Sequence, residues 1–332
     1  MLAILRCLLL PFGFLYASIA WLRRQYFILS RKRRNSPIYS IAVGNLAVGG
    51  SGKTPMVLFI ARHLSVRTAI LSRGYKRKTK GFREVQKDDN VQNSGDEPLE
   101  IKSAQPDMPV FVCEDRLQGM EQIQQGHPEI KIVVLDDAFQ HLPLRADKYV
   151  LLTDYQKPFY DDFPMPAGRL REFACNASGA DVIVVTKCPA NLDESTAKRF
   201  MQKLVRFNKP VFFCQYENAP PVNNEGEQLH KATPVIAVSG LADNRAFSSW
   251  AAKNYNVYQA FSYPDHHAFS NAEFNQWEVQ LKQHENAAIL TTRKDFVKMA
   301  NLPESLKKRI FITFTSPKFL FQQEDAFIRT LF

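Results

Sequence analysis

Apolar positions along the chain recur in short branched runs separated by longer mixed stretches. Residues 38–44, 68–72, 110–113, 132–136, 148–153 and 182–186 are such runs, rich in Val, Ile and Leu. Each is too short for an average helix, and the branched residues suit a strand buried on both faces. The stretches between them carry helical signals, as in "PMVLFIARHL" (55–64), where Pro55 stands in a first turn that tolerates proline. Alternation of this kind predicts βαβ units and an α/β fold with a mainly parallel sheet flanked by helices. The stretch 216–233 is polar and rich in Pro and Asn, which marks a linker or hairpin. Beyond it, 234–240, 257–263, 287–293 and 309–314 repeat the strand pattern and predict a smaller second α/β unit. The expected organisation is an N-terminal segment over 1–34, a main domain over 35–218 and a smaller domain over 219–332. A cleft between two such units is the natural place for an active site.

Charge and hydropathy set the N-terminal segment apart. Residues 7–22, "CLLLPFGFLYASIAWL", carry no charge. The run is shorter than the roughly 20 residues that cross a bilayer comfortably, and Pro11 and Gly13 weaken it as a straight helix. The basic cluster follows it rather than preceding it, which does not fit a signal peptide. The open readings are a short anchor, an interfacial helix and a buried core helix. Aromatic residues between Arg23-Arg24 and Arg31-Lys32-Arg33-Arg34 favour contact with an anionic membrane surface. The net charge of +10 is concentrated: residues 23–34 and 73–83 each hold six basic residues and no acid. The excess is two patches, so a nucleic-acid groove is not expected. The five cysteines lack C-x-x-C spacing, which argues against a disulfide framework or a zinc site and for a reducing compartment.

Chemistry concentrates in "VGNLAVGGSGKTP" (43–55). A strict phosphate loop reads G-x-x-x-x-G-K-[ST], and here Ala47 occupies the first glycine position. Gly49, Gly50 and Gly52 still supply backbone that can turn its N–H groups inward with no Cβ in the way. Val48, Gly49, Gly50, Ser51, Gly52, Lys53 and Thr54 are therefore the expected ATP-binding residues. Lys53 supplies a cation and Thr54 a hydroxyl for Mg²⁺. Strand, glycine loop and helix follow one another as a P-loop NTPase-type fold requires.

Acidic residues complete the constellation. "IKIVVLDDAFQH" (130–141) is a strand ending in Asp136 and Asp137, and ligands of parallel sheets gather beyond such ends. Both are candidate Mg²⁺ ligands. Asp96 and Glu97 in "NSGDEPLE" are a candidate base and metal-shell carboxylate, and read alone the segment is a solvated turn. Arg116 in "VCEDR" either faces phosphates or pairs with Glu114 or Asp115. His266 in "YPDHHAF" can meet a carboxylate across a cleft, although a turn rich in histidine is usually only solvated.

Taken together, "VGNLAVGGSGKTP", "LSRGYKR" (71–77), "GDEP" (95–98), "DR" (115–116), "DDAFQH" (136–141), "MPAGRLRE" (165–172), "DHHAF" (265–269) and "TTRKD" (291–295) resemble the tetraacyldisaccharide 4′-kinase family, the lipid A 4′-kinases of Gram-negative bacteria. The family's loop also lacks the first glycine. Its pattern has Gly where Ala138 stands and an acid where Arg293 stands. The resemblance implies transfer of the ATP γ-phosphoryl to the 4′-hydroxyl of an acylated glucosamine disaccharide 1-phosphate at the cytoplasmic face of the inner membrane. It implies Asp96 as the catalytic carboxylate paired with His266, and Glu97, Asp136, Asp137 and Thr54 around Mg²⁺. Arg116 becomes a phosphate clamp. Beyond the lipid substrate and the anionic membrane surface, no protein partner and no nucleic acid is expected. The alternatives are a P-loop NTPase serving as a membrane-associated switch or acting on nucleic acid.

Overall fold

The chain is described as a computed structural model covering every residue except Met1, Arg31, Ser65, Glu285 and Ala300, with only the backbone for residues 2–5. Arg31, expected in the second basic cluster, lies outside the described residues. Nine strands form the main sheet: β1 (Tyr39–Asn45), β2 (Thr68–Ser72), β3 (Arg83–Glu84), β4 (Val110–Val112), β5 (Ile132–Asp136), β6 (Lys148–Asp154), β7 (Val182–Thr186), β8 (Val211–Asn218) and, from the far end of the chain, β13 (Thr315–Phe319). Their order is β13-β8-β7-β6-β1-β5-β2-β4-β3. The strands pair in parallel except where β13 meets β8 and β3 meets β4. The expected parallel α/β sheet is thus present, with antiparallel strands only at its edges.

Burial on both faces explains the continuous apolar runs. Ile41 and Val43 of β1 face one layer, with Met56, Val57 and Ile60 of α2 (Lys53–His63). Ala42 between them faces the opposite layer, with Met120 and Ile123 of α4 (Arg116–Gly126). Alternate side chains of a strand point to opposite faces, so both must be apolar. Fully burying each Leu, Ile or Val contributes about 1.5–3 kcal/mol. The same packing holds α3 (Asp96–Ala104), whose first residue carries a candidate base.

The second sheet has four parallel strands, β9 (Pro234–Ser239), β10 (Asn256–Ser262), β11 (Ala288–Thr292) and β12 (Ile310–Thr313), in the order β10-β9-β11-β12. One face packs on Phe274, Trp277 and Leu281 of α7 (Asn271–Leu281), the other on Phe247 and Ala251 of α6 (Arg245–Asn254). The expected range of 219–332 for this unit ends too late. After Thr313 the chain returns to the main sheet, where β13 pairs antiparallel with β8 and Phe327 of α9 (Glu324–Arg329) packs on Phe319, ring centroids 4.6 Å apart. Two chain crossings therefore join the units, held together by bonds such as Ala219 N–H to Phe314 O at 2.9 Å.

The apolar N-terminal run lies in one continuous helix, α1 (Leu2–Leu29), with Pro11 inside it. Gly13, Ala17 and Arg24 are buried at helical spacing and dock the helix on the 164–176 segment. At Gly13 a Cβ would meet Pro164 O at 2.8 Å, so the close approach requires glycine. The other faces stay open: Phe12, Leu15 and Ile19 are each more than 60% exposed. A core helix is thereby excluded. Among the described residues no helix is long and apolar enough to cross a membrane.

Candidate active site

A cleft of about 1000 Å³ opens between the two sheets and collects residues from both. On its main-sheet side lies the glycine loop, which leaves β1 and enters α2. Gly49 has φ 109° and Gly52 φ 81°, a left-handed conformation that only glycine adopts without strain. A Cβ at Gly49 or Gly50 would meet no protein atom, so that backbone faces open space wide enough for phosphates. Ala47 is bridged to Leu170 in extended pairing. It belongs to the strand-like entry of the loop, so the missing first glycine removes nothing from the cradle. Val48, expected at the nucleotide, does not line the cleft; its N–H donates to Arg169 O at 2.8 Å. The residues from Gly49 to Thr54 do line it.

Two side chains outside any motif fasten the loop. Thr186 Oγ1 donates to Ser51 O at 3.0 Å and Tyr216 OH to Gly52 O at 2.8 Å. Lys53 Nζ lies 3.4 Å from Asn45 Oδ1 and 3.7 Å from Asp137 Oδ1.

The acidic strand end sits where parallel pairing places it, since Val43 of β1 is opposite Asp136 of β5. Asp136 is buried; its Oδ2 accepts from Ser72 Oγ at 3.1 Å and its Oδ1 has no partner among the described residues. Burial, then the neighbouring Asp137, raises its carboxyl above the usual range. Burial, then Asp136, pushes Glu97 up to about 8. Carboxylates crowded this way are uncomfortable without a cation. Among the described residues no three His, Cys, Asp or Glu form a metal cage. Mg²⁺ does not need one, because it keeps several waters and takes phosphate oxygens beside one or two carboxylates. The open Asp136 Oδ1, with Thr54 and Glu97 in the same cleft, fits that manner of binding.

Asp137 is placed differently from Asp136. Its φ of 46° turns it away from the strand, and Arg171 Nη1 holds both its oxygens at 3.1 and 3.0 Å. The left-handed residue is Asp137 itself, while Ala138 is simply buried, so alanine at 138 is no obstacle. Arg116 lies in the cleft floor, 3% exposed, and donates to the carbonyls of Cys113, Glu114 and Asp136. It braces two strand ends rather than reaching outward.

Asp96 and His266, 170 residues apart, come together across the cleft: His266 Nδ1 lies 2.7 Å from Asp96 Oδ2. Asp96 is 3% exposed at the first turn of α3, and His266 holds φ 61° in the loop after β10. Asp265 steadies that loop, accepting from Lys294 Nζ at 2.8 Å. Arg293 donates from Nη1 to Ser103 O at 2.8 Å, joining α8 (Arg293–Phe296) to α3. Sequence reasoning missed Asn45, Gln140, Arg171, Tyr216 and Thr186. Asn45, Gln140 and Arg171 stood inside quoted motifs, where nothing in the residue type revealed the partner.

A phosphate loop and an acidic strand end in one cleft, with a cleft-lining histidine paired to a buried carboxylate, define a phosphotransferase of the P-loop class. The sequence pattern of one family, described as Tetraacyldisaccharide-1-P 4'-kinase, matches residues 5–331. The chain is 36% identical over 306 residues to the tetraacyldisaccharide 4'-kinase of Flavobacterium johnsoniae, covering 89% of this chain and 88% of that one. It is 31% identical over 342 residues to the enzyme of the same name from Porphyromonas gingivalis, covering 97% and 95%. The crystal structure of the "apo" form LpxK from Aquifex aeolicus in complex with ATP is similar with a TM-score of 0.79, at 30% identity over 99% of this chain and 100% of that one. The chain belongs to the tetraacyldisaccharide 4′-kinase family and is an ATP-dependent lipid kinase of lipid A biosynthesis.

Proposed function

We propose that the cleft passes the γ-phosphoryl of ATP to the 4′-hydroxyl of an acylated glucosamine disaccharide 1-phosphate held at a membrane surface. The observation that carries this reading is the 2.7 Å contact between buried Asp96 and His266, the histidine lining the same cleft as Lys53. Phosphoryl transfer is governed by positioning and by neutralising charge. Backbone N–H groups of 49–53 cradle the phosphates, and Lys53 places its ammonium on the β- and γ-oxygens. Asp96 takes the proton of the incoming hydroxyl, and His266 orients that carboxylate through its Nδ1. Thr54, Asp136 and Glu97 would hold Mg²⁺, with Asp137 behind them beside Lys53. When bound, the ion supplies charge neutralisation across the β- and γ-phosphates. Arg116 adds positive charge from beneath while holding the strand ends in place.

The membrane reading rests on α1. Its exposed side carries Phe12, Leu15, Ile19 and Leu22, and Arg23 near its end lines the same cleft. A substrate whose acyl chains stay in the bilayer can thus offer its head group to the cleft while α1 lies at the interface. The basic residues following α1 add attraction to an anionic leaflet, about 1 kcal/mol each near the surface. These features support a location on the cytoplasmic face of the bacterial inner membrane, where ATP is available. The test is ATP-dependent phosphorylation of the acylated disaccharide 1-phosphate in detergent micelles, with the position of the new phosphate determined. A product phosphorylated at the 4′-position supports the reading. Hydrolysis of ATP without transfer, or transfer to another position, refutes it.

A further inference from the structure

We propose that Glu172 is a positioning residue that ties α1 to the phosphate-binding lysine. The inference rests on the kinase reading of the cleft. Glu172 is 4% exposed and accepts four hydrogen bonds. Arg24 of α1 reaches it twice, Nε to Oε2 at 2.9 Å and Nη2 to Oε1 at 3.0 Å. Asn176 Nδ2 donates to Oε2 at 2.5 Å and Gln140 Nε2 to Oε1 at 2.9 Å. The Gln140 amide is a fork. Its Nε2 also donates to Asn45 O at 2.9 Å, and its Oε1 accepts from Arg171 Nη1 at 3.5 Å. Both branches end on one atom, Lys53 Nζ, which lies beside Asn45 Oδ1 and Asp137 Oδ1.

Asp137 needs such bracing for a physical reason. Its left-handed backbone lies beyond the regular strand, so the sheet does not aim its carboxylate. Arg171 aims it, and Gln140 and Glu172 hold Arg171 and Asn45 in register. A buried ion pair is weak evidence for stability, because desolvation offsets much of the attraction. What the Arg24–Glu172 pair does supply is orientation, through bidentate geometry that only one arrangement satisfies. Because Arg24 belongs to the helix with the exposed apolar side, the seating of α1 sets the position of Lys53.

The test uses the full chain in detergent micelles with the acylated disaccharide. Arg24→Met with Glu172→Leu replaces the buried pair by apolar groups of similar size, a change that folds tolerate. Gln140→Leu cuts the same path further along and leaves the pair intact, so it carries the test should the double variant fail to fold. Lys53→Ala is measured in parallel. Each relay variant is expected to lose at least about tenfold in kcat, as small misplacements of reacting groups do. KM for ATP rises and KM for the disaccharide is unmoved. Combining all three changes costs no more than the larger single effect, since one path is cut twice. Folded variants with wild-type kcat and KM for ATP overturn the proposal. So does a kcat loss with unchanged KM for ATP, which marks a merely smaller active fraction, and so do additive losses. If Lys53→Ala is dead while the relay variants are normal, this proposal alone falls; if Lys53→Ala is active, the reading of the loop falls with it.

Discussion

Replacing Asp96 by Asn tests the proposed chemistry at its centre. The two side chains are nearly isosteric, and Asp96 is 3% exposed, so no cavity opens and packing is kept. The amide can still bond His266 Nδ1 across 2.7 Å, so the cleft does not lose its bridge. Two effects on folding oppose each other. The carboxylate in the first turn of α3 gains about 0.3–1 kcal/mol from the helix dipole, which Asn forfeits. Against that, the Asp96 charge raises the carboxyls of both Glu97 and Glu100, so its removal relieves repulsion. Net stability should change by less than about 1 kcal/mol. The chemical effect is larger. Loss of a general base costs about 10²–10⁴-fold in rate, or about 2.7–5.4 kcal/mol of barrier. The loss should appear in kcat with KM for ATP unchanged, because the base acts on the acceptor. Initial rates of disaccharide phosphorylation, with thermal melting as the folding control, measure this directly. His266→Ala should cost less, and the double variant no more than Asp96→Asn alone, since both act through one proton transfer. A kcat within a few-fold of wild type, or a rise in KM for ATP at constant kcat, would place Asp96 in the nucleotide site and refute the mechanism.

Three further outcomes follow from the same geometry. Lys53→Ala should abolish transfer while the fold persists, because the γ-phosphate loses its principal side-chain cation; near wild-type activity in the folded variant would move the ATP site elsewhere. Changing Phe12, Leu15, Ile19 and Leu22 together to Gln should release the protein from anionic vesicles at high salt and leave ATP binding intact, since all four are exposed and apolar insertion is not screened by ions. Sedimentation with vesicles decides it, and undiminished binding would show that α1 is not the contact. Glu100, raised by burial from 4.5 to about 7, holds its proton more tightly folded than unfolded, so its contribution to stability declines as pH rises from about 4.5 to about 7. Glu100→Gln should flatten that decline in denaturation measured across the interval; an unchanged pH profile would mean that Glu100 is not held in its protonated form.

The local pattern settled much of this protein. Branched apolar runs of four to seven residues, too short for ordinary helices, suit strands buried on both faces, and all six predicted for the main sheet are there. The glycines, Lys53 and Thr54 declare a phosphate loop because their chemistry is local: backbone that turns left-handed, a cation and a hydroxyl within a few residues. Asp136 was legible for a related reason, since a strand end in a parallel sheet is a known place for ligands. Ala47 and Ala138 show the boundary. Whether each position needs glycine depends on which residue takes the left-handed turn, and the structure assigns those turns to Gly49, Gly52 and Asp137.

Tertiary structure decided what long-range closure alone can. Asp96 and His266 meet only because two sheets face each other across a cleft; the resemblance implied their pairing, but nothing local to either residue announces a 2.7 Å contact across a separation of 170. The return of residues 315–319 to the main sheet was invisible for the same reason, because strand order is a property of pairing partners and not of the strand. The N-terminal run favoured membrane contact but left anchor, interfacial helix and core helix open until Gly13, Ala17 and Arg24 were seen docked and Phe12, Leu15 and Ile19 open. Arg24, Gln140, Asn45 and Arg171 are ordinary polar residues in sequence. They became a path to Lys53 only when folding buried them against one another, where each unpaired group would be costly and each therefore found a partner.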